Sequence, residues 1–154
     1  MIKIKKAIAL IMLISSLFII TSCGEETDYI DMVKTQRPFN GNAWYDSAPV
    51  YSIVPPTYEA VFNKFIDPVE WTENKENGEV RVGGTLKSSG TEKDIIINFR
   101  VTPDEKHGRD GGYDYYNVNP YMITVDGEEI TAENEITEFL YDMFDAYALE
   151  KDFY

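Results

Sequence analysis

The sequence is short of the side chains that most enzyme chemistry draws on. It holds one cysteine, Cys23, and one histidine, His107, in 154 residues. Without a second thiol no intramolecular disulfide can form, so the fold must be held by its core alone. A zinc site built from thiolates and imidazoles lacks its ligands. Nucleophilic catalysis needs a base beside the nucleophile. His107 sits in a polar loop next to Gly108, and Ser88 and Ser89 lie in a turn without the strand-to-helix elbow that exposes a serine nucleophile. "VGGTLKSSG" has glycines but no lysine at phosphate-loop spacing. Basic residues are also few, 14 Lys and Arg against 27 Asp and Glu, which leaves a net charge of −13. Such a chain is repelled by nucleic acid and by anionic lipid headgroups. There is no internal repeat and no low-complexity tract. The longest apolar run, Ala7 to Ile20, is interrupted only by Ser15 and Ser16, and it falls short of the roughly 20 residues that span a bilayer.

That run has a specific setting. Lys3, Lys5 and Lys6 precede it and small residues follow it, which is the pattern of an export signal. It ends Ile20-Thr21-Ser22-Cys23. This ending resembles the lipobox of bacterial lipoproteins: a branched apolar residue, two small residues, then cysteine. The resemblance implies that the Cys23 sulfur receives diacylglycerol and that the chain is cut between Ser22 and Cys23. It also implies palmitate-type acylation and export to the outer face of the cytoplasmic membrane or to the outer membrane. Lipid would then be the link to the membrane, at about 0.8 kcal/mol per buried methylene. Loss of residues 1–22 removes three lysines and no acids, so the net charge would become −16.

The expected organisation is a signal peptide over 1–22, a lipid-anchored flexible stalk over 23–47 and a small domain over 48–154. No period of two or 3.6 persists between Gly24 and Ser47, and Pro38, Asn40, Gly41 and Asn42 interrupt it. Trp44 and Tyr45 are expected on the domain edge or at a contact surface. Eleven tyrosines, eight phenylalanines and two tryptophans are enough for a real core.

Within the domain, "PPTYEAVFNKFIDP" carries helix punctuation, with Thr57 as N-cap and Asp67-Pro68 as terminator. Tyr58, Val61, Phe62, Phe65 and Ile66 make one apolar face. "EWTENK" and "EVRVGGTL" flank Glu76-Asn77-Gly78, a strong hairpin signal. In "DIIINFRVTP", Ile95, Ile97, Phe99 and Val101 should point inward, and Ile96, Asn98 and Arg100 outward. "YYNVNPYMITVDGEEI" reads as a fourth strand, with Pro120 at an edge or a bulge and a turn at Asp126-Gly127. Thr131 is the expected N-cap of a last helix whose apolar side is Ile136, Phe139, Leu140, Met143, Phe144 and Tyr147. The expected fold class is α+β: a helix, a four-stranded antiparallel meander and a C-terminal helix, both helices on one sheet face.

The order "AVFNKFI", "VEWT", a long apolar strand, "ITVDGEEIT" and "FLYDMFDAY" resembles a small extracytoplasmic domain of membrane-anchored proteins in Firmicutes-type bacteria. That resemblance covers about Val54 to Tyr147 and implies no catalytic residue. The long insertion "PDEKHGRDGGYDYYN" departs from its pattern. The outline also resembles cystatin-like folds, which host many unrelated functions.

Two local compositions mark candidate sites. Asp104, Asp110 and Asp114, with Gly111 and Gly112 between, are candidate calcium ligands, although their spacing is not that of an EF-hand and Lys106 and Arg109 offset the charge. Tyr113, Tyr115, Tyr116 and Tyr121 have the tyrosine-rich make-up of a partner surface. Acid pairs such as Glu128-Glu129 and Glu133/Glu135 read as charges meeting a helix dipole. The sequence therefore leads to a non-catalytic, lipid-anchored binding module with no cofactor. Its partners would be the membrane, through Cys23, and a protein or envelope component, with no nucleic acid. The alternatives are an enzyme or inhibitor acting through a cleft, and a calcium-tuned surface domain.

Overall fold

The computed structural model describes residues 27–38, 55–87, 91–104, 115–150 and 153. Among these, the chain forms α1 (Tyr29–Thr35), α2 (Tyr58–Phe65), β1 (Glu70–Asn74), β2 (Glu79–Leu86), β3 (Lys93–Pro103), β4 (Tyr116–Val125), β5 (Glu128–Ile130) and α3 (Glu133–Ala148). The strands form one antiparallel sheet in the order β1-β2-β3-β4-β5, a meander in which every sequence neighbour is a spatial neighbour. The class is α+β, as expected, but the strand count is five rather than four. The segment after Asp126-Gly127 folds back on β4 and pairs as Ile123↔Ile130 and Val125↔Glu128. Three residues are too few to show an alternation of their own, and pairing defines this strand.

One face of the sheet is the core. Val80, Val82, Ile95, Ile97, Phe99, Val101 and Ile123 alternate inward and are buried, and the buried faces of α2 and α3 pack on them. Tyr58 on α2 joins the layers. Its ring lies 4.9 Å from Phe99 on β3 and 5.5 Å from Phe144 on α3, both edge-on, the arrangement that aromatic quadrupoles favour. Burial pushes the Tyr58 phenol far above its ordinary pKa, so it stays neutral.

The first helix is a finding that sequence periodicity did not anticipate. Residues expected to belong to the stalk form α1, capped by Asp28, whose Oδ1 accepts from the Asp31 N–H at 2.9 Å. Val33 is wholly buried in the common core, with Tyr29, Ile30 and Met32 packed beside it. Gln36 O accepts from the Tyr58 N–H at 3.1 Å, and the Arg37 guanidinium donates to Pro55 O. These bonds tie the end of α1 to the start of α2. Trp44 and Tyr45 lie outside the described residues.

Local signals otherwise held. Thr57 caps α2, its hydroxyl accepting from Ala60 N–H at 3.3 Å. The β1–β2 turn closes on Gly78, whose φ is +68° and whose carbonyl accepts from Val101 N–H at 2.8 Å. A side chain there would collide with Val101 O, so glycine is required by both conformation and space. Pro120 sits at an edge and a bulge together. Register shifts at Asn98/Phe99, which face Met122 and Pro120, so Tyr121 is the extra residue. The edge is open because β5 pairs only with Ile123–Val125. Thr131 does not cap α3. The N-cap is Ala132, with no side-chain bond to the first turn.

Candidate functional site

The strand faces turned away from the helices make a broad polar surface. It is built from Glu70 and Thr72 on β1, Arg81, Gly83 and Thr85 on β2, Asp94, Ile96, Asn98 and Arg100 on β3, and Met122 and Thr124 on β4, by strict alternation with the buried set. Gly83 lies between Glu70 and Ile96 in this register. Its missing side chain opens a groove of about 460 Å³, walled by Glu70, Thr72, Arg81, Asp94 and Ile96. Gly84, its neighbour, faces the other way, with φ of +155°. A Cβ on Gly84 would strike Pro68 O and the Ile66 side chain. This closeness lets Asp67 N–H reach Thr85 O at 2.9 Å and Lys87 N–H reach Phe65 O at 2.7 Å, fixing the end of α2 to β2.

At the other end of the same surface a charged cluster converges. Glu79 Oε1 accepts from Arg100 Nη2 at 3.2 Å and from the Tyr121 hydroxyl at 3.1 Å, while Oε2 accepts from Asn77 Nδ2 at 2.8 Å. The Arg100 guanidinium stands 4.8 Å from the centre of the Tyr121 ring, a cation–π distance. Arg100 first, then Tyr121 and Asn77, hold the Glu79 carboxyl below the usual carboxylate range. Burial, and then the bond to Glu79, raise the Tyr121 phenol. The two shifts agree: carboxylate and neutral phenol is the stable pair near neutrality. Register alone sets Glu79 opposite Arg100, and the bulge turns Tyr121 to join them. Pro120 marks the neighbourhood of the bulge in the sequence, but which residue it turns outward is set by pairing across the strands.

Near the centre, Asn98 keeps its side-chain Nδ2 out of solvent, with no hydrogen-bond partner among the described residues. A buried donor left unpaired costs about 1–3 kcal/mol.

The residues singled out from sequence are dispersed. Tyr121 belongs to the cluster just described. Tyr116 faces the opposite side of the sheet, its ring 6.2 Å from Tyr29 of α1 and packed at the margin of the core. Tyr115 is 48% exposed, the one large apolar side chain so exposed among the described residues. Among the described residues, then, alternation along β4 and its bulge place Tyr116 and Tyr121 on opposite sides of the sheet. Asp104 follows the last residue of β3, and its N–H donates to Tyr115 O at 2.7 Å, extending the β3–β4 ladder. Ser22, Cys23, Tyr113, Asp110 and Asp114 lie outside the described residues, as does His107.

No family model matches the chain, and neither curated proteins nor solved structures contain a significant match to it.

Proposed function

We propose that this chain is a non-catalytic, lipid-anchored binding module exposed on the outer side of a bacterial membrane. The observation that carries the reading is the ordered N-terminal pattern: Lys3, Lys5 and Lys6, the apolar run to Ile20, then Ile20-Thr21-Ser22-Cys23. In this reading Cys23 takes diacylglycerol as a thioether, cleavage follows Ser22, and the domain is carried outside the membrane. Its partner is a protein or envelope component met at the helix-free face of the sheet.

Two features of that face support binding over catalysis. Glu79 and Arg100 are engaged with each other and with Tyr121 and Asn77, which suits a rigid recognition surface. The groove at Gly83, walled by Glu70, Thr72, Arg81, Asp94 and Ile96, gives a partner a concave polar feature to fit beside it. The test has two parts, run on the protein expressed in bacteria. Mass spectrometry of the N-terminal peptide should find a diacylated Cys23 as first residue, lost in Cys23→Ala. Cross-linking in the cells should then capture one stoichiometric partner, and capture should fall with Asn98→Lys. An uncut, unmodified N-terminus would refute the anchored module. A lipidated protein that captures nothing would refute the binding role.

A further inference from the structure

We infer that the domain stands on the bilayer by one defined end, with the Pro103 and Tyr116 end of the sheet and the β1–β2 turn facing the headgroups. The inference rests on the proposed lipid at Cys23 and adds an orientation to it. An anchor on a flexible stalk of some 25 residues would leave the domain free to tumble far from the membrane. The docking of α1 removes that freedom. Its cap, Asp28, and its buried Val33 belong to the folded unit, so only the steps from Cys23 to Asp28 are tether. At no more than about 3.6 Å per residue, those five steps reach about 18 Å.

The place where the tether enters is also defined. Tyr29, the first residue of α1, packs against Tyr116, which pairs with Pro103 at the base of the hairpin. Gly78 of the β1–β2 turn bonds to Val101 at the same end of the sheet. The opposite end is marked by Lys93 and by the Asp126 turn, which bonds to Asp94 in both directions at 2.9 Å. Strand β3 runs from Lys93 to Pro103 and so measures the separation of the two ends. Ten steps at about 3.3 Å make it about 33 Å. For the far end to face the headgroups, the entry point would have to rise about a β3 length above them. A tether of about 18 Å cannot allow this. The tether thus excludes the Asp126 end from facing the headgroups, and of the two ends the one that carries exposed Tyr115 is the nearer to the membrane.

This orientation can be measured on the lipidated full chain in phosphatidylcholine vesicles. A lipidated Cys23 is a thioether, so an introduced cysteine is the only reactive thiol. Fluorophores on Tyr115→Cys and Glu76→Cys report the near end, and one on Glu128→Cys the far end. Energy transfer to an acceptor on the lipid headgroups should place the first two nearer the membrane plane by about 30 Å. Glu76 lies in an exposed turn, so it decides the matter should Tyr115→Cys disturb the hairpin. Equal distances, or a nearer Glu128 label, with Cys23 shown by mass to be diacylated, would overturn the orientation alone. An unmodified Cys23 would overturn the orientation together with the anchored module it rests on.

Discussion

Replacing Val33 by alanine tests whether α1 is part of the cooperative fold. Val33 is fully buried, and it is the one residue of α1 that is. The substitution removes two carbons, worth about 0.8 kcal/mol each in lost transfer energy, or about 1.6 kcal/mol. The gap they leave adds to this, because packed surroundings relax only partly, so the expected loss is about 2–3 kcal/mol. Alanine's better helix propensity returns only a few tenths of a kcal/mol. With a urea m-value of about 2 kcal/mol/M, the unfolding midpoint should fall by about 1 M at constant slope. Thr35→Ala, at an exposed position on the same helix, should change stability by less than about 0.5 kcal/mol. A seven-residue helix does not persist in water unaided, so hydrogen exchange of the α1 amides should follow global unfolding. If Val33→Ala left the midpoint where Thr35→Ala leaves it, α1 would not be docked in the cooperative unit. The short tether would then fall as well.

Three further outcomes are expected. Gly84→Ala should destabilise the protein by about 2–4 kcal/mol in urea unfolding, combining backbone strain at φ of +155° with a collision on Pro68 and Ile66; unchanged stability would contradict the close crossing of the chain after α2 over β2. Glu79 has a folded pKa held below its unfolded value by Arg100, Tyr121 and Asn77, so its contribution is present above the unfolded value of about 4.3 and is lost as pH falls through the folded one. Glu79→Gln should therefore flatten the acid limb of the stability profile, and NMR titration of Glu79 at or above the ordinary glutamate value would disprove the cluster. Ala132→Asp should stabilise α3 by about 1 kcal/mol, because the N-cap is already in extended backbone and lacks a side-chain acceptor; no rise in the urea midpoint would mean that other groups satisfy the first turn.

Much of the fold could be read from local pattern, and the reasons are particular. The alternation of Ile95, Ile97, Phe99 and Val101 with Ile96, Asn98 and Arg100 named both the strand and its buried side, since side chains on a strand can go only two ways. Asn77-Gly78 marked the first hairpin because left-handed φ is cheap only there. Pro120 indicated an edge or a bulge by lacking a donor for a ladder, and the structure has it at both. The missed elements share one cause. Helix α1 and strand β5 are too short to show a period, and each exists because something distant covers or pairs with it.

By itself, then, the sequence determined the longer strands and helices, which side of each is buried, and where the chain must turn between them, because these follow from residue shape, backbone restriction and the separation of apolar from polar groups. Only the tertiary structure decided that α1 joins the core, that Gly83 opens a groove on the free face, and that Glu79, Asn77, Arg100 and Tyr121 meet. The groove and the cluster depend on register and on a single inserted residue in β4, and α1 depends on the core that covers Val33; all are settled by contacts between elements rather than along the chain.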